Sequence, residues 1–175
     1  MRKFYLLTLA LLVFGLTADA KWKFHYGSGS KDDPYIIDGE EWSILCDNVL
    51  EGNSYKGKYF KLKNDIMINN HEGRMLGDFS HPFSGIFDGD GHTIEVKIDA
   101  YHQDYLAPFR FIKGATIKNV RATGFINAGQ FAGGLVSYAW GKDNRIINCR
   151  SSITFSHQRD NYVYYYCCPI KIGID

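Results

Sequence analysis

The stretch that decides the fold is Ser84-Gly-Ile-Phe-Asp-Gly-Asp-Gly-His-Thr-Ile-Glu-Val-Lys-Ile98, a glycine-bearing turn followed by branched apolar residues at alternating positions. A second, degenerate copy is Phe109-Arg-Phe-Ile-Lys-Gly-Ala-Thr-Ile-Lys-Asn-Val-Arg-Ala-Thr-Gly124. A third, looser copy is split into Gly133-Gly-Leu-Val-Ser-Tyr-Ala-Trp-Gly141 and Arg145-Ile-Ile-Asn-Cys-Arg-Ser-Ser-Ile153. Repeats on a scale of roughly 20 to 50 residues indicate a stacked architecture. The three copies therefore predict a fold built from similar, stacked turns.

Three isoleucines mark what we take as the matching position of each copy. Ile94, Ile117 and Ile146 are 23 and 29 residues apart, a spacing that fits one turn of a solenoid with corners of variable length. In a parallel β-helix each turn adds about 4.8 Å along the axis, the ordinary spacing of strands, and alternate residues point inward. The sequence therefore predicts a mostly β protein, a short right-handed parallel β-helix of about three coils.

The copies also predict which side chains stack. The expected inward positions are, coil by coil, Ile94, Val96 and Ile98, then Ile117 and Val120, then Ile146 and Cys149. Asn119 and Asn148 recur at matching places. Asparagine tolerates left-handed backbone and can hydrogen-bond along a stack of turns, so we expect these two residues at equivalent corners.

The region before the copies predicts one helix and then strands. Asp38 followed by Glu41 is close to a capping box. Apolar residues recur at helical spacing after it, namely Trp42, Leu45, Cys46 and Val49. We predict a helix over Glu40–Glu51 that closes the N-terminal end of the stack. Residues 59–68 alternate as strands do, and residues 69–82 are expected to form a loop.

The chain divides into three parts. Residues 1–20 have a basic start, an apolar middle and small residues at their end, the order of a secretory signal peptide, and the apolar stretch is too short to span a bilayer. Residues 21–156 are predicted to form the capped β-helix domain. Residues 157–175 match no copy and form an atypical tail, either a terminal strand or a truncated end. We therefore predict an exported protein, secreted or at the cell envelope or surface, and not an integral membrane protein.

The charge balance argues against two classes of partner. The sequence has 20 Lys and Arg and 19 Asp and Glu residues, and Arg2, Lys3 and Asp19 belong to the signal peptide, which leaves 18 of each sign. A balanced charge offers no basic field for nucleic acid and no acidic field for cationic partners. The frequent glycines and aromatic residues instead suit short strands joined by tight turns.

The cysteines show no disulfide framework and no metal-site spacing. They are Cys46, Cys149, Cys167 and Cys168. Export permits disulfides, but their pairing does not follow from this spacing, and a zinc site would want paired Cys-x-x-Cys or histidine partners. We interpret Cys149 as a buried free thiol in a strand.

Several segments together resemble a known family. They are Gly27-Ser-Gly-Ser-Lys-Asp-Asp-Pro-Tyr-Ile36, Tyr55-Lys-Gly-Lys-Tyr-Phe-Lys-Leu62, Asn64-Asp-Ile66, Phe83-Ser-Gly-Ile-Phe-Asp-Gly-Asp-Gly-His-Thr-Ile94, Gly114-Ala-Thr-Ile-Lys-Asn-Val120 and Gly133-Gly-Leu-Val136. In this order they resemble the repeat region of exported bacterial proteins that carry the GLUG motif. The resemblance implies a right-handed β-helix, a bacterial envelope or secreted location, and a role in large adhesive or surface proteins. It implies no catalytic residues. The enlarged turn at 138–144 and the unmatched tail depart from the family pattern.

The sharpest candidate for chemistry is the corner Asp88-Gly-Asp-Gly-His92. Two carboxylates and an imidazole so close together can bind a metal or act in acid–base catalysis. However, Asp-Gly pairs form turns, and a calcium loop would need further oxygen ligands that are missing, so we interpret the segment as a corner. The other histidines have no partners at metal or triad spacing, namely His25, His71, His81, His102 and His157. No catalytic, cofactor-binding or metal-binding residue is therefore predicted, and no cofactor.

Four aromatic residues in or near loops offer a binding role: Tyr101, Tyr105, Tyr138 and Trp140. Exposed rings on a solenoid can stack on sugars or be buried in a partner interface, and the alternative is packing between turns. The outward charges are mixed and no carboxylate pair recurs from copy to copy. We therefore favour a non-catalytic surface, adhesion or binding module for a glycan or a host or cell-surface protein. The alternatives are a β-helical enzyme similar to polysaccharide lyases or hydrolases, and an N-terminal fragment of a larger surface protein.

Overall fold

The structure is a computed structural model that describes residues 23–69 and 74–156. Strands hold 42% of these residues and helix 9%, and the parallel sheets form a β-solenoid of about four turns with one helix. The predicted fold class is confirmed, with about four turns where the three copies indicated about three. The predicted signal peptide at 1–20 and tail at 157–175 lie outside the described residues, and so do His71, Cys167 and Cys168.

Eleven strands in three parallel sheets and one helix make up the described part of the chain. In chain order they are β1 Tyr35–Ile37, α1 Gly39–Leu50, β2 Tyr59–Leu62, β3 Ile66–Asn69, β4 Ile86–Asp88, β5 Thr93–Asp99, β6 Phe109–Lys113, β7 Thr116–Lys118, β8 Arg121–Asn127, β9 Val136–Trp140, β10 Arg145–Ile147 and β11 Arg150–Ser156. Sheet A has the order β1-β2-β4-β7-β10, sheet B the order β11-β8-β5-β3, and sheet C pairs β6 with β9. A full turn of the chain therefore passes through sheet A, then sheet B, then sheet C.

The position that repeats from turn to turn differs from the one that the isoleucines suggested. Ile117 pairs with Ile146, as predicted, but its partner in the preceding turn is Phe87. Ile94 lies in sheet B and pairs with Ala122. The expected match of Ile94 with Ile117 is therefore wrong. The reason is that each turn has three faces, and a short apolar alternation looks the same on any of them.

A continuous apolar core fills the space between the sheets. The predicted inward residues of the inner turns are at most 2% exposed, and they are Ile94, Val96, Ile98, Ile117 and Val120. Ile146 and Cys149 are only half-buried. They belong to the turn that carries β10 and β11, and within the described residues these are edge strands of sheets A and B. The prediction that Cys149 is buried is therefore met only in part.

Helix α1 closes the N-terminal end of the core, as predicted. Its N-cap is Asp38, whose Oδ1 accepts hydrogen bonds from the backbone N–H groups of Glu40 (3.1 Å) and Glu41 (3.2 Å). Its apolar stripe is buried, and consists of Trp42, Leu45, Cys46 and Val49. The helix follows β1 directly. In each later turn the strand of sheet A is followed by a strand of sheet B, so the helix takes the place of that strand in the first turn. It therefore covers the stack where another chain could otherwise pair.

The sequence does not predict sheet C. Residues 69–82 were expected to be a loop, yet Leu76 is fully buried and forms a parallel bridge with Phe109 in the next turn. The chain here makes only an isolated bridge, so no alternation marks it in the sequence. Sheet C nevertheless forms the third face of the solenoid, and a cluster of aromatic side chains lies on it.

Candidate binding site on sheet C

The register of sheet C places aromatic residues of β6 and β9 side by side. Phe111 of β6 lies beside Tyr138 of β9, and Lys113 lies beside Trp140. Phe109 and Val136 enter the core, whereas Phe111 and Tyr138, two positions on, lie outside it. In a regular strand residues two apart face the same side, so the alternation is interrupted here, where the backbone N–H groups of Arg110 and Phe111 both donate to the Leu76 carbonyl. Neighbouring parallel strands are about 4.8 Å apart, a separation at which outward rings on paired positions meet.

Six rings form a connected cluster on this face, which we name the aromatic surface: Phe79, Tyr105, Phe111, Phe131, Tyr138 and Trp140. Phe111 is at its centre, with its ring centroid 5.4 Å from that of Tyr105 and 5.9 Å from those of Tyr138 and Trp140. These separations lie in the range of favourable aromatic pairs. The cluster is therefore held by contacts between its own rings.

The outer rings of the aromatic surface are open to solvent. Phe79 is 72% exposed and Tyr138 is 42% exposed, whereas Phe111 is only 5% exposed. Phe111 is buried by its aromatic neighbours on the outside of the solenoid and does not belong to the apolar core. A contiguous exposed apolar patch of this kind marks an interaction site more often than scattered single residues do.

Tyr105 is held at this surface in an unfavourable backbone conformation. Its φ is +61°, in the left-handed region that non-glycine residues rarely adopt. Its ring stacks on Phe131, with centroids 4.8 Å apart and planes 12° apart. Arg110 fastens the loop, because its Nε donates to the Tyr105 carbonyl (3.2 Å) and its Nη2 to the Asp104 carbonyl (3.1 Å). Strained residues held this way occur often at binding sites.

The Asp88-Gly-Asp-Gly-His92 corner is a turn whose polar groups are paired. Asp88 Oδ1 accepts hydrogen bonds from the Asp90 backbone N–H (3.0 Å) and from Asn119 Nδ2 (2.9 Å), and its Oδ2 lies 2.8 Å from Lys118 Nζ. Partial burial raises the pKa of Asp88, but the hydrogen bonds from Lys118, Asn119 and the Asp90 backbone together lower that pKa below its ordinary value. Asp90 Oδ2 lies 3.0 Å from Lys61 Nζ. The two carboxylates therefore act as charged partners of lysines.

Three of the described histidines each form a pair with a carboxylate. Nδ1 of His25 lies 2.6 Å from Glu41 Oε1, and this hydrogen bond and the nearby charge raise the pKa of His25. His81 is 3.2 Å from Asp78. His92, in the corner, is 3.2 Å from Asp65, a contact for which the sequence gives no signal. Each is an isolated pair, and in the described ranges no three His, Cys, Asp or Glu residues gather closely enough to hold a metal ion.

The two described cysteines are free thiols that differ in burial, since Cys46 is buried and Cys149 is half-buried. Burial raises the pKa of the Cys46 thiol well above its ordinary value, and its Sγ donates to the Arg74 carbonyl at 3.3 Å. Burial also raises the pKa of Cys149. Both thiols are therefore poor nucleophiles, since thiolate is the reactive form.

Sequence reasoning found half of the aromatic surface. It selected Tyr105, Tyr138 and Trp140, which the structure brings together, and Tyr101, whose ring instead contacts His102 with centroids 3.6 Å apart. It missed the other three members, Phe79, Phe111 and Phe131. No local pattern marks them, because in a regular strand Phe109 and Phe111, two residues apart, face the same side, and the pattern places both in the core.

No family model, no curated protein and no solved structure matches this chain. In the part of the chain that the structure describes, no helix has both the length and the apolar character needed to cross a membrane.

Proposed function

We propose that this protein is an exported, non-catalytic surface or adhesion module that binds glycans through the aromatic surface. The observation that carries the proposal is the cluster of six rings at sheet C, in which Phe79 is 72% and Tyr138 42% exposed around the buried ring of Phe111. Aromatic faces offer sugars a large, rigid contact area, and Tyr and Trp add polar groups that hydrogen-bond at the rim.

Polar groups around the rings favour a sugar over a purely apolar partner. Lys113 is exposed and pairs in register with Trp140. The guanidinium of Arg110 lies 5.6 Å from the centre of the Phe111 ring and is held by two backbone carbonyls. A binding site for a small polar ligand combines an apolar floor with a few fixed polar groups, and the aromatic surface has both.

Three lines of support come from the sequence, and a fourth comes from the structure. The order of residues 1–20 supports export, and the resemblance of Gly27–Ser156 to exported GLUG-motif bacterial proteins supports a place in the cell envelope or at the cell surface. The mixed outward charges favour binding over catalysis. So does the pairing of the corner carboxylates Asp88 and Asp90 with lysines.

Binding to immobilised glycans tests the proposal directly. We expect the purified protein to bind a subset of polysaccharides on an array. Trp140→Ala and Phe79→Ala should each weaken that binding at least about tenfold, equivalent to about 1.4 kcal/mol. Phe125→Ala is the matched control, since Phe125 is 43% exposed on sheet B, away from the aromatic surface. Equal affinity of the wild type and the Trp140 variant would overturn the proposal.

A depolymerisation assay on the polysaccharides that bind separates the module from an enzyme. We expect no release of reducing ends or unsaturated sugars by the wild-type protein. Specific turnover that disappears in Asp88→Ala or Asp90→Ala would establish a β-helical enzyme instead, because it would place acid–base chemistry at the corner.

A further inference from the structure

A polar depression, separate from the aromatic surface, lies on another face of the solenoid. An open depression of about 540 Å³ follows the corner between sheets A and B in the last described turns. Its lining includes two residues each of arginine, asparagine and small hydroxyl side chains: Arg121, Arg150, Asn119, Asn148, Thr123 and Ser152. This volume lies within the range of small-molecule sites, roughly 300–1,000 Å³.

The arginines form a ladder of like charge. Arg121 and Arg150 are the first residues of β8 and β11 and are paired in register. Parallel neighbours are about 4.8 Å apart, so two exposed guanidinium groups share one face at a separation where like charges repel. Within residues 23–69 and 74–156, neither arginine takes part in an ion pair.

The nearby carboxylates are committed elsewhere. Asp65 feels the charge of Arg121, but its Oδ1 already accepts the Thr93 backbone N–H at 2.8 Å and lies beside His92. Asp88 is paired with Lys118 at 2.8 Å. The charge of the ladder therefore remains about +2 and is open to solvent.

The floor beside the ladder is uncharged and fixed. Asn148 Nδ2 donates to Asn119 Oδ1 at 2.8 Å, and Asn119 Nδ2 donates to Asp88 Oδ1 at 2.9 Å, so both amides are held in place. Two positions beyond the arginines, Thr123 and Ser152 are also paired in register. Hydroxyl and amide groups beside a guanidinium pair suit a ligand that carries both an oxyanion and hydroxyls.

We propose that this depression binds the oxyanion groups, carboxylate or sulfate, of an acidic polysaccharide. Guanidinium groups pair with such groups through two parallel N–H···O hydrogen bonds, and an anion seated between Arg121 and Arg150 removes their mutual repulsion. The site is open on one side, which admits a polymer chain. This site does not depend on the aromatic surface, which lies on sheet C.

The experiment measures binding of the purified protein to polygalacturonate, chondroitin sulfate and uncharged dextran by calorimetry. We expect both acidic polymers to bind and dextran not to bind at this site. Arg121→Gln/Arg150→Gln should lose at least about tenfold in affinity for the acidic polymers, as expected for charge-assisted pairs. Arg145→Gln, at an exposed arginine of sheet A outside the depression, should change it less than about twofold. Circular dichroism checks that each variant is folded.

Three outcomes would overturn the proposal. One is unchanged affinity in the double variant. The second is an equal loss in Arg145→Gln, which would indicate a net-charge effect rather than a site. The third is that sodium sulfate or galacturonate monomer binds as tightly as the polymers. The depression would then be a site for a free anion and not for a polysaccharide.

Discussion

At the scale of single residues, the corner between sheets A and B is defined by side chains that bond from turn to turn. Asn119 and Asn148 have φ values of +55° and +50°, and Asp88, Asn119 and Asn148 form a continuous ladder of hydrogen bonds. The sequence predicts this much, because asparagine is the residue that both accepts left-handed backbone and bonds along a stack. These hydrogen bonds fix the position of each corner along the axis of the solenoid relative to the next corner.

Two substitutions of Asn119 separate the ladder from the backbone conformation. Asn119→Gly keeps a residue that tolerates positive φ but removes two side-chain hydrogen bonds, so we expect a loss of about 1–3 kcal/mol in the free energy of unfolding. Asn119→Ala should lose about 1–2 kcal/mol more, because alanine is strained in the left-handed region. Urea unfolding measures both. Equal stability of the two variants would show that the backbone conformation contributes nothing.

At the scale of elements, the side-chain pattern along each strand decides which residues face the solvent. The register of the sheet then decides which of those residues lie side by side. The alternating pattern of β5 is readable from the sequence, and its buried residues Ile94, Val96 and Ile98 were predicted. The assignment of a strand to one of three faces is not readable, since it depends on corner lengths that differ from turn to turn. This is why Ile94 was matched with Ile117, and why the rings of β6 and β9 were not seen to meet.

Strand β8 contains a glycine that its neighbour requires. Gly124 pairs with Val96 of β5 and has a φ of +109°, and a Cβ built on it would lie 1.9 Å from the Val96 carbonyl oxygen. We expect Gly124→Ala to force β5 and β8 apart and to lower the free energy of unfolding by about 4 kcal/mol or more, among the larger effects of single substitutions.

The control for this substitution is Gly91→Ala. Gly91 also has a positive φ, +84°, but an added Cβ there meets no atom within 4 Å. We expect only the strain of the backbone, about 1–2 kcal/mol. Thermal melts of the two variants measure the difference. A Gly124 variant no less stable than the Gly91 variant would contradict the close approach of β5 and β8.

At the scale of the whole molecule, α1 closes the solenoid through Trp42. The Trp42 ring lies 5.7 Å from Phe87 and 5.5 Å from Phe109, and its Nε1 donates to the Arg74 carbonyl at 2.8 Å. One side chain thus joins the helix to residues of sheets A and C and to the segment that precedes the Leu76 bridge.

Removing Trp42 should therefore destabilise the protein as a unit. We expect Trp42→Ala to lower the free energy of unfolding by about 3–5 kcal/mol, the usual effect of truncating a buried aromatic residue. Leu50→Ala is the control, because Leu50 lies on the same helix but is 43% exposed, and its effect should stay below about 1 kcal/mol. Chemical denaturation measures both free energies of unfolding. It is monitored by far-ultraviolet circular dichroism, which follows secondary structure and does not rely on tryptophan fluorescence. A small effect at Trp42 would mean that the helix rests on the solenoid without stabilising it.

The fold as a whole was more predictable than its sites. Repetition and apolar alternation are local properties, so glycine corners and branched residues indicated a capped β-helix. A surface site is made by residues from different turns, such as Phe79 with Trp140 or Arg121 with Arg150. Their proximity depends on the length of every corner between them, and no local pattern in the sequence records it.

The equal spacing of one column of sheet B has an evolutionary consequence. Ile66, Ile94 and Ala122 occupy one column of sheet B at intervals of 28 residues. A duplication or deletion of one such unit would keep every remaining residue in its column and would change the height of the molecule by about 4.8 Å. The number of exposed rows can therefore change in whole steps without redesigning a single contact.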